Sequence, residues 1–432
     1  MDYPEILERM RADWNERARE DANYYVAFGR RGQDAEEFFA TAADVVRSLE
    51  AELKRFPSRG NLTALEIGCG PGRLMRPMSR HFVEIHGVDV SDEMVRLARA
   101  NLSGVSHAHV HRTTGSELAQ FEDGSFDFVY SYAVFQHIPS REVVFGYLRE
   151  ARRVLRESGI LRCQINSLPE TAARYSTWNG VRIPAREVAA FARDHDFQLL
   201  SLEGVSTQYL WTTWRKRHDG WERSLAGCNR QPQALIRNVG NAQTGEPAIP
   251  ATGPFAAASL SIEGLPEDCD LNHLEVRMDG LVCTPAYIGP PQWDGVSQVN
   301  VALPDGLRTG MVPVEIDWLG KPLCASMWAR VVPAGPAVPW VCSLADGVNL
   351  LSGRRIVSGI VKVTVEEVVQ PEMFGATVGG NPVENIDFFC TDPLTRRYEI
   401  NFSIPRGTPP GPHQIEMWLG KRRFAPVSIE VA

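Results

Sequence analysis

Glu66, Gly68, Gly70 and Gly72 stand at a spacing of two in LEIGCGPGRL, and Asp89 closes a second apolar run, HGVDV. A strand-to-helix turn that lets a ligand approach the backbone calls for glycine, because a Cβ would block the approach and the turn demands positive φ. A helix over about 73–80 would present its free amides to whatever the loop cradles. A carboxylate at the tip of the next strand is placed to accept hydrogen bonds from two ribose hydroxyls. The set predicts a nucleotide-like cofactor on the loop. The third glycine of a dinucleotide G-x-G-x-x-G would fall at position 73, which is Arg73, so the spacing disfavours NAD.

A second group of candidates follows a later apolar run, FDFVYS. In SYAVFQHIP the polar side chains are Tyr132, Gln136 and His137, and His137 has the proton affinity suited to a general base that takes a proton from a hydroxyl or amine. Packing beside the loop is the plainer role for the same imidazole. His107, His109 and His111 alternate along one strand and share a face, yet no nearby Cys or Asp completes a tetrahedral set, so no metal site is expected. Tyr175, Trp178, Tyr209 and Trp211 could line an acceptor pocket or fill a core equally well.

The elements that must hold these groups alternate. Strands are expected at 62–67 and 84–89, then a helix SDEMVRLARANL with Ser91 as N-cap, a strand over 105–113, a strand FDFVYSY, a helix REVVFGYLREARRVL and a strand GILRCQIN. A helix AREVAAFARDHDF and two adjacent strands near QLLSLEGV and TQYLWTTWRK complete a doubly wound α/β sheet of seven strands, one of the last two reversing direction beside the other. Two helices precede it, over about 4–20 and 34–55, the second opening on a capping box of Asp34 and Glu37. Tyr24, Tyr25 and Phe28 between them pack the helices or cover the cofactor.

The order E-x-G-x-G-x-G, VDVSDEMVRLAR and SFDFVYSYAVFQHIP over residues of about 60–217 resembles the class I methyltransferases that use S-adenosylmethionine. The resemblance implies a Rossmann-like fold, S-adenosylmethionine as cofactor, and an N-terminal helical lid. It further implies that residues 66–72, Cys69 included, seat the amino-acid part of the cofactor, that Asp89 with Val90 takes the ribose, and that Met94 packs on the adenine. Family members commonly place an acidic residue after the third strand. Here the segment is TTGSEL, so Thr114, Gly115 and Ser116 must contact the adenine in its place through backbone or hydroxyl groups, and Tyr132 faces the cofactor from the fourth strand.

The chain has 432 residues, 44% apolar, with a net charge of −8 and no dense basic face, which excludes nucleic acid and anionic membrane surfaces as expected partners. The absence of a long apolar run or signal-peptide pattern, and of a C-x-x-C pair among the eight cysteines, predicts a cytoplasmic protein with reduced thiols.

Residues 218–255 are rich in Pro, Gly, Asn and Gln and read as a linker. Beyond them Trp318-Leu319-Gly320-Lys321 recurs as Trp418-Leu419-Gly420-Lys421, and Pro304 and Gly310 as Pro405 and Gly411. Short alternating strands between Pro and Gly turns predict two all-β sandwiches of about 75–80 residues that resemble bacterial immunoglobulin-like modules. The expected layout is a helical cap over 1–58, a methyltransferase domain over 59–217, a linker over 218–255, and sandwiches over 256–335 and 355–432. On this layout residues 1–217 fold and bind cofactor alone. The expected function is methyl transfer to a small-molecule or glycan-like acceptor, at oxygen, the sandwiches serving a protein partner or self-association. The alternative is a non-catalytic binding or scaffold protein in which the sandwiches carry the interaction.

Overall fold

A computed structural model describes residues 3–27, 31–58, 60–170, 174–225, 234–333, 339–348, 354–368, 370–392, 396–420 and 422–432. Phe28, Cys228 and Lys421 lie outside them. Two compact units are present, the first formed by 1–27, 34–251 and 257–332, the second by 28–33, 252–256 and 333–432.

The first unit is built on β1 (Thr63–Ile67), β2 (Glu84–Asp89), β3 (Ala108–Arg112), β4 (Phe126–Ser131), β5 (Leu155–Ile165), β6 (Phe197–Glu203) and β7 (Leu210–Lys216). Their order, β3-β2-β1-β4-β5-β7-β6, with β7 antiparallel to both neighbours, is the mixed seven-stranded sheet expected. Central strands read as continuous apolar runs because helices cover both faces. On one face lie α6 (Arg141–Val154) and α7 (Ala185–Asp194), whose Val143, Val144, Leu148, Val188 and Ala192 are buried. On the other lie α3 (Ala43–Glu52), α4 (Met75–Met78) and α5 (Asp92–Asn101).

The N-terminal helices differ from expectation in extent. α1 runs over Tyr3–Ala27 with a non-helical Asp21, whose Oδ1 accepts from Tyr24 N and restarts the helix. The second helix is broken into α2 (Ala35–Ala40) and α3. Asp34 caps α2 by accepting from Glu37 N at 2.9 Å, as the capping box predicts. The helix after the glycine loop is only four residues, followed by a tight turn at Ser79–His81.

The stretch expected to be a linker is partly sheet. After α8 (Trp221–Ser224), β8 (Leu235–Asn241) and β9 (Ala248–Pro250) lie within 218–255 and belong to the first sandwich. One of its sheets is β8-β10-β13-β12, with β10 (Ala257–Glu263), β12 (Leu281–Ile288) and β13 (Val296–Ala302). The other joins β9, β16 (Met327–Val332), β14 (Gly310–Trp318) and β11 (Leu274–Met278), with β15 (Lys321–Pro322) at its edge. This sandwich is part of the first unit. Tyr287 pairs with Ser201 of β6, Gln198 Nε2 donates to the Glu267 and Cys269 carbonyls at 2.6 and 2.8 Å, and Arg55 Nη2 donates to the Ile288 carbonyl at 2.8 Å. Arg217 pairs with Asp270 at 2.7 Å, both side chains being 5% exposed or less.

The second unit repeats the plan. Its sheets are β17-β19-β23-β22 and β18-β26-β24-β20-β21, with β25 beside β24. These are β17 (Trp340–Asp346), β18 (Arg355–Ile356), β19 (Ile360–Glu366), β20 (Phe374–Val378), β21 (Asn381–Pro382), β22 (Glu384–Asp392), β23 (Arg397–Ser403), β24 (Gly411–Leu419), β25 (Arg422–Arg423) and β26 (Val427–Val431). Each repeat therefore starts near 235 or 340, earlier than the sequence reading placed it. Trp318 is buried at its own sandwich, followed by Leu319 and Gly320 at positive φ, and Trp418 packs against Gly375.

Candidate functional site

The glycine loop is fixed to the second strand by main-chain bonds. Gly68 N and Cys69 N both donate to the Val88 carbonyl, at 2.8 and 3.0 Å. Gly68, Gly70 and Gly72 have φ of 73°, 51° and 85°, the left-handed region in which a Cβ is disfavoured. A Cβ on Gly68 would also meet Val134 at 2.3 Å, so the segment after β4 closes on the loop. Gly70 N donates to Asp89 Oδ2 and Ser91 N to Asp89 Oδ1, both at 2.9 Å. This ties the Asp89 carboxylate to the loop while leaving it lone pairs for a ligand. Burial outweighs those hydrogen bonds and raises its pKa to about 6.

Glu66 is buried at the end of β1 and accepts from Tyr130 Oη at 2.9 Å. Desolvation pushes its carboxyl up to about 8, so it is protonated at neutral pH. The Cys69 thiol is buried and raised well above its usual range for the same reason.

α1 roofs the site. Asn15 Oδ1 accepts from Ser91 Oγ at 2.8 Å and from Glu93 N at 3.1 Å, and Arg11 pairs with Asp92 at 2.7 Å. Met94 is buried in a cluster with Ala18 and Ala22, joined by Trp14 and Val26. A Cβ on Gly70 would lie 3.3 Å from Val26. One on Gly115 would lie 3.3 Å from Leu7 and 3.9 Å from Val90. Ser116 is buried beside it. The contacts that make the roof come from Asn15, Ala18, Ala22 and Val26 at near-helical spacing, which the sequence reading missed by weighing only Tyr24, Tyr25 and Phe28.

His137 stands under the same roof, 9% exposed. Its ring meets Trp14 edge-on at 5.4 Å and Trp178 at 5.4 Å. Arg17 lies 4.8 and 5.3 Å from the two indoles and donates to Thr177 O and Oγ1. His137 Nδ1 is 2.9 Å from the Trp178 carbonyl, which places the proton there, and Nε2 faces Gln136 Nε2 at 3.3 Å. Burial, with the Arg17 charge adding to it, lowers its pKa to about 4. Tyr132 stacks on Trp211 at 5.7 Å. Tyr175 packs at the edge of the α6-side core.

The structure thus gathers Glu66, Gly68, Cys69, Gly70, Gly72, Asp89, Val90, Met94, Gly115 and Ser116 around one loop and one roof. Tyr132 and His137 flank it through the segment that carries Val134. Arg73 Nε, just after the loop, and Gln136 Oε1, beside His137, are buried without partners, and a Cβ on Gly68 would clash with Val134. Such a lining fits an amphiphilic ligand with charged and apolar ends. His109 and His111 of β3 form a separate cluster with His86 of β2, His86 Nδ1 and His111 Nε2 lying 3.1 Å apart, while His107, just before β3, instead faces the Ser79 carbonyl.

Residues 65–163 match the family model described as a methyltransferase domain. The match falls on the strands and glycine loop of a Rossmann-like sheet and supports a methyltransferase domain there. Over 102 residues the chain is 36% identical to phosphoethanolamine N-methyltransferase 2 of Caenorhabditis elegans, covering 23% of each. Over 133 residues it is 31% identical to a ubiquinone biosynthesis O-methyltransferase of Cereibacter sphaeroides, covering 31% of this chain and 51% of that one. The chain thus spans about a quarter to a half of the length of these curated relatives. A solved S-adenosylmethionine-dependent methyltransferase from Aquifex aeolicus aligns with 40% of this chain and 97% of its own, at 16% identity and a TM-score of 0.30. Among the described residues no helix is long and apolar enough to cross a membrane.

Proposed function

We propose that the chain transfers a methyl group from S-adenosylmethionine to a small-molecule or glycan-like acceptor, at an oxygen atom. The observation that carries this reading is the direct bond from Gly70 N to Asp89 Oδ2, which joins loop and carboxylate into one unit. Bound there, the sulfonium supplies a methyl already activated towards a nucleophile. The residues of the chain are then required to bind, orient and exclude water.

On this reading Asp89 accepts from the ribose, Gly68 and Gly70 admit the amino-acid end, and Met94, Gly115 and Ser116 border the base. α1 closes the site through Asn15 and Arg11 and must open for exchange. His137 takes the acceptor proton on Nε2, because Nδ1 is committed to the Trp178 carbonyl. Tyr132, Trp178 and Trp211 offer aromatic walls to the acceptor. The two sandwiches are read as immunoglobulin-like modules that serve as an adaptor or dimerisation arm.

Calorimetric titration tests the cofactor half. S-adenosylhomocysteine should give one saturable site and NAD none. Asp89→Ala should weaken binding by roughly 1.5–3 kcal/mol, and Gly70→Val should abolish it while the fold persists. Because Asp89 is charged only above about pH 6, affinity should fall as pH drops through that value. For the base, His137→Ala should lower turnover about 100-fold with cofactor affinity unchanged. The wild-type rate should keep its acid limb near pH 4 rather than 6.5. Unchanged turnover in that variant would reduce His137 to packing between Trp14 and Trp178.

A further inference from the structure

The α3-facing side of the sheet carries a buried polar row near the strand ends. Glu66, Tyr130, Arg162, Thr213 and Ser201 are register neighbours across five strands. All five are buried. Burying such a row in place of apolar side chains costs stability unless every charge is matched.

Most of the charges are matched. Arg55 pairs with Glu52 at 2.6 Å. Arg162 lies 3.8 Å from Glu52 and 3.3 Å from Glu203, and it donates to Ser201 and Thr213. Arg73 differs. It follows the glycine loop directly, is 5% exposed, and no carboxylate among the described residues forms an ion pair with it. Its Nη1 donates to Thr41 O and Oγ1, both at 3.2 Å, while Nε has no partner. The guanidinium lies 5.4 Å from the Tyr132 ring. That ring is stacked on Trp211, whose indole carries Arg162 at 4.5 Å. Thr41, Tyr132 and Trp211 therefore hold Arg73 in place without neutralising it. The acid close to it, Glu66, is itself kept protonated by burial and faces Tyr130.

A fixed, buried and unpaired guanidinium beside a ligand loop lacks an anion. We propose that Arg73 is an anion anchor whose guanidinium pairs with the carboxylate of a ligand bound against the glycine loop. Arginine suits this role because its planar fork matches a carboxylate through two parallel hydrogen bonds. The carboxylate could come from the amino-acid end of the cofactor, in which case the proposal rests on the function above, or from an acidic acceptor.

The test is calorimetric titration of the full chain and of Arg73→Met and Arg73→Lys, with thermal melts as a fold control. The ligands are S-adenosylhomocysteine, methylthioadenosine, which lacks the amino-acid end, and benzoate added to the protein saturated with S-adenosylhomocysteine. If the cofactor supplies the carboxylate, Arg73→Met should weaken S-adenosylhomocysteine roughly 10- to 100-fold and leave methylthioadenosine within about twofold, with Arg73→Lys between. If the acceptor supplies it, S-adenosylhomocysteine should be unaffected and benzoate binding should disappear in Arg73→Met.

A folded Arg73→Met protein with every affinity unchanged would overturn the proposal. Should that variant not fold, wild type decides. With the decarboxylated analogue of S-adenosylhomocysteine, which keeps the amine, as a fourth ligand, equal affinity for the two and no benzoate binding would also overturn it. Failure of wild type to bind S-adenosylhomocysteine or methylthioadenosine at all would count against the cofactor assignment instead, and benzoate added to the free protein would then decide Arg73 by itself.

Discussion

The two sandwiches share a strand plan and a Trp-Leu-Gly-Lys sequence, yet one is part of the unit that carries the glycine loop and the other forms the body of a separate unit. One difference between the repeats is a short segment before β11 and its counterpart before β20. In the first repeat Asp270 and His273 occupy that segment. Asp270 takes the buried Arg217 at 2.7 Å, and His273 bridges Asp270 and Glu222 at 2.7 and 2.9 Å. Burial pulls the His273 pKa down, but the two carboxylates outweigh it and the net shift is upward. At the same displacement of 100 positions the second repeat has Gln370 and Met373, neither of which can replace that ion-pair chain. The first sandwich thus carries at one end an ion-pair chain that the second lacks.

Truncation gives the largest expected effect. A chain ending at 217 loses the β12 partner of β6, the acceptors of Gln198 and Arg55, and the carboxylate of Arg217. It should therefore show no cooperative melt, contrary to the expectation from sequence. A chain ending at 335 should melt cooperatively. A sharp transition in the shorter fragment, close to that of the longer, would break the comparison.

Asp270→Ala comes next. It strands a buried guanidinium, which should cost about 3–5 kcal/mol. Gln370→Ala should stay within about 0.5 kcal/mol. Urea unfolding of both variants checks the contrast, and equal losses would mean the segment does not set it.

Within the first unit, pH sharpens the picture. The Glu66 pKa is raised in the folded state, to about 8, so the folded protein holds the proton more tightly than the unfolded one. Stability from this group is full below about pH 4.5 and is lost as pH rises through 8, at up to roughly 1.4 kcal/mol per pH unit. His137 acts in the other window. Its pKa is depressed to about 4, so its contribution is present above about 6.5 and is lost as pH falls towards 4. Glu66→Gln should flatten the alkaline slope and leave the acid one. A slope unchanged between pH 5 and 8 would show that Glu66 is not the group titrating.

The smallest effect is expected at Trp418. Replacing it by Phe disturbs its contact with Gly375 in the second repeat, and affinity for S-adenosylhomocysteine should stay within about twofold of wild type, beside at most about 1–2 kcal/mol lost from its own unit.

The cofactor loop was legible because local rules carry it: glycine where φ is positive, a strand before it and an acid at the tip of the next strand. Seven strands followed from alternation, while their order is seen only in the structure. The start of the first repeat was hidden, because LIRNVGN in β8 buries only Ile236, Val239, Gly240 and Asn241 and has no clean alternation, while β9 is three residues long. The roof was visible in kind but misassigned in detail. Its Asn15, Ala18 and Ala22 are small or polar and give no apolar stripe, and their partner Met94 lies in another helix. The Arg217–Asp270 pair spans 53 positions of sequence, and no local pattern announces it.

Residues 1–335 should hold the cofactor site by themselves, since every residue proposed to line it lies in the first unit. Titrating S-adenosylhomocysteine into that fragment and into the full chain measures it directly. Equal dissociation constants at one site per chain are predicted. Saturable binding by the full chain with none by a cooperatively folded 1–335 fragment would contradict it.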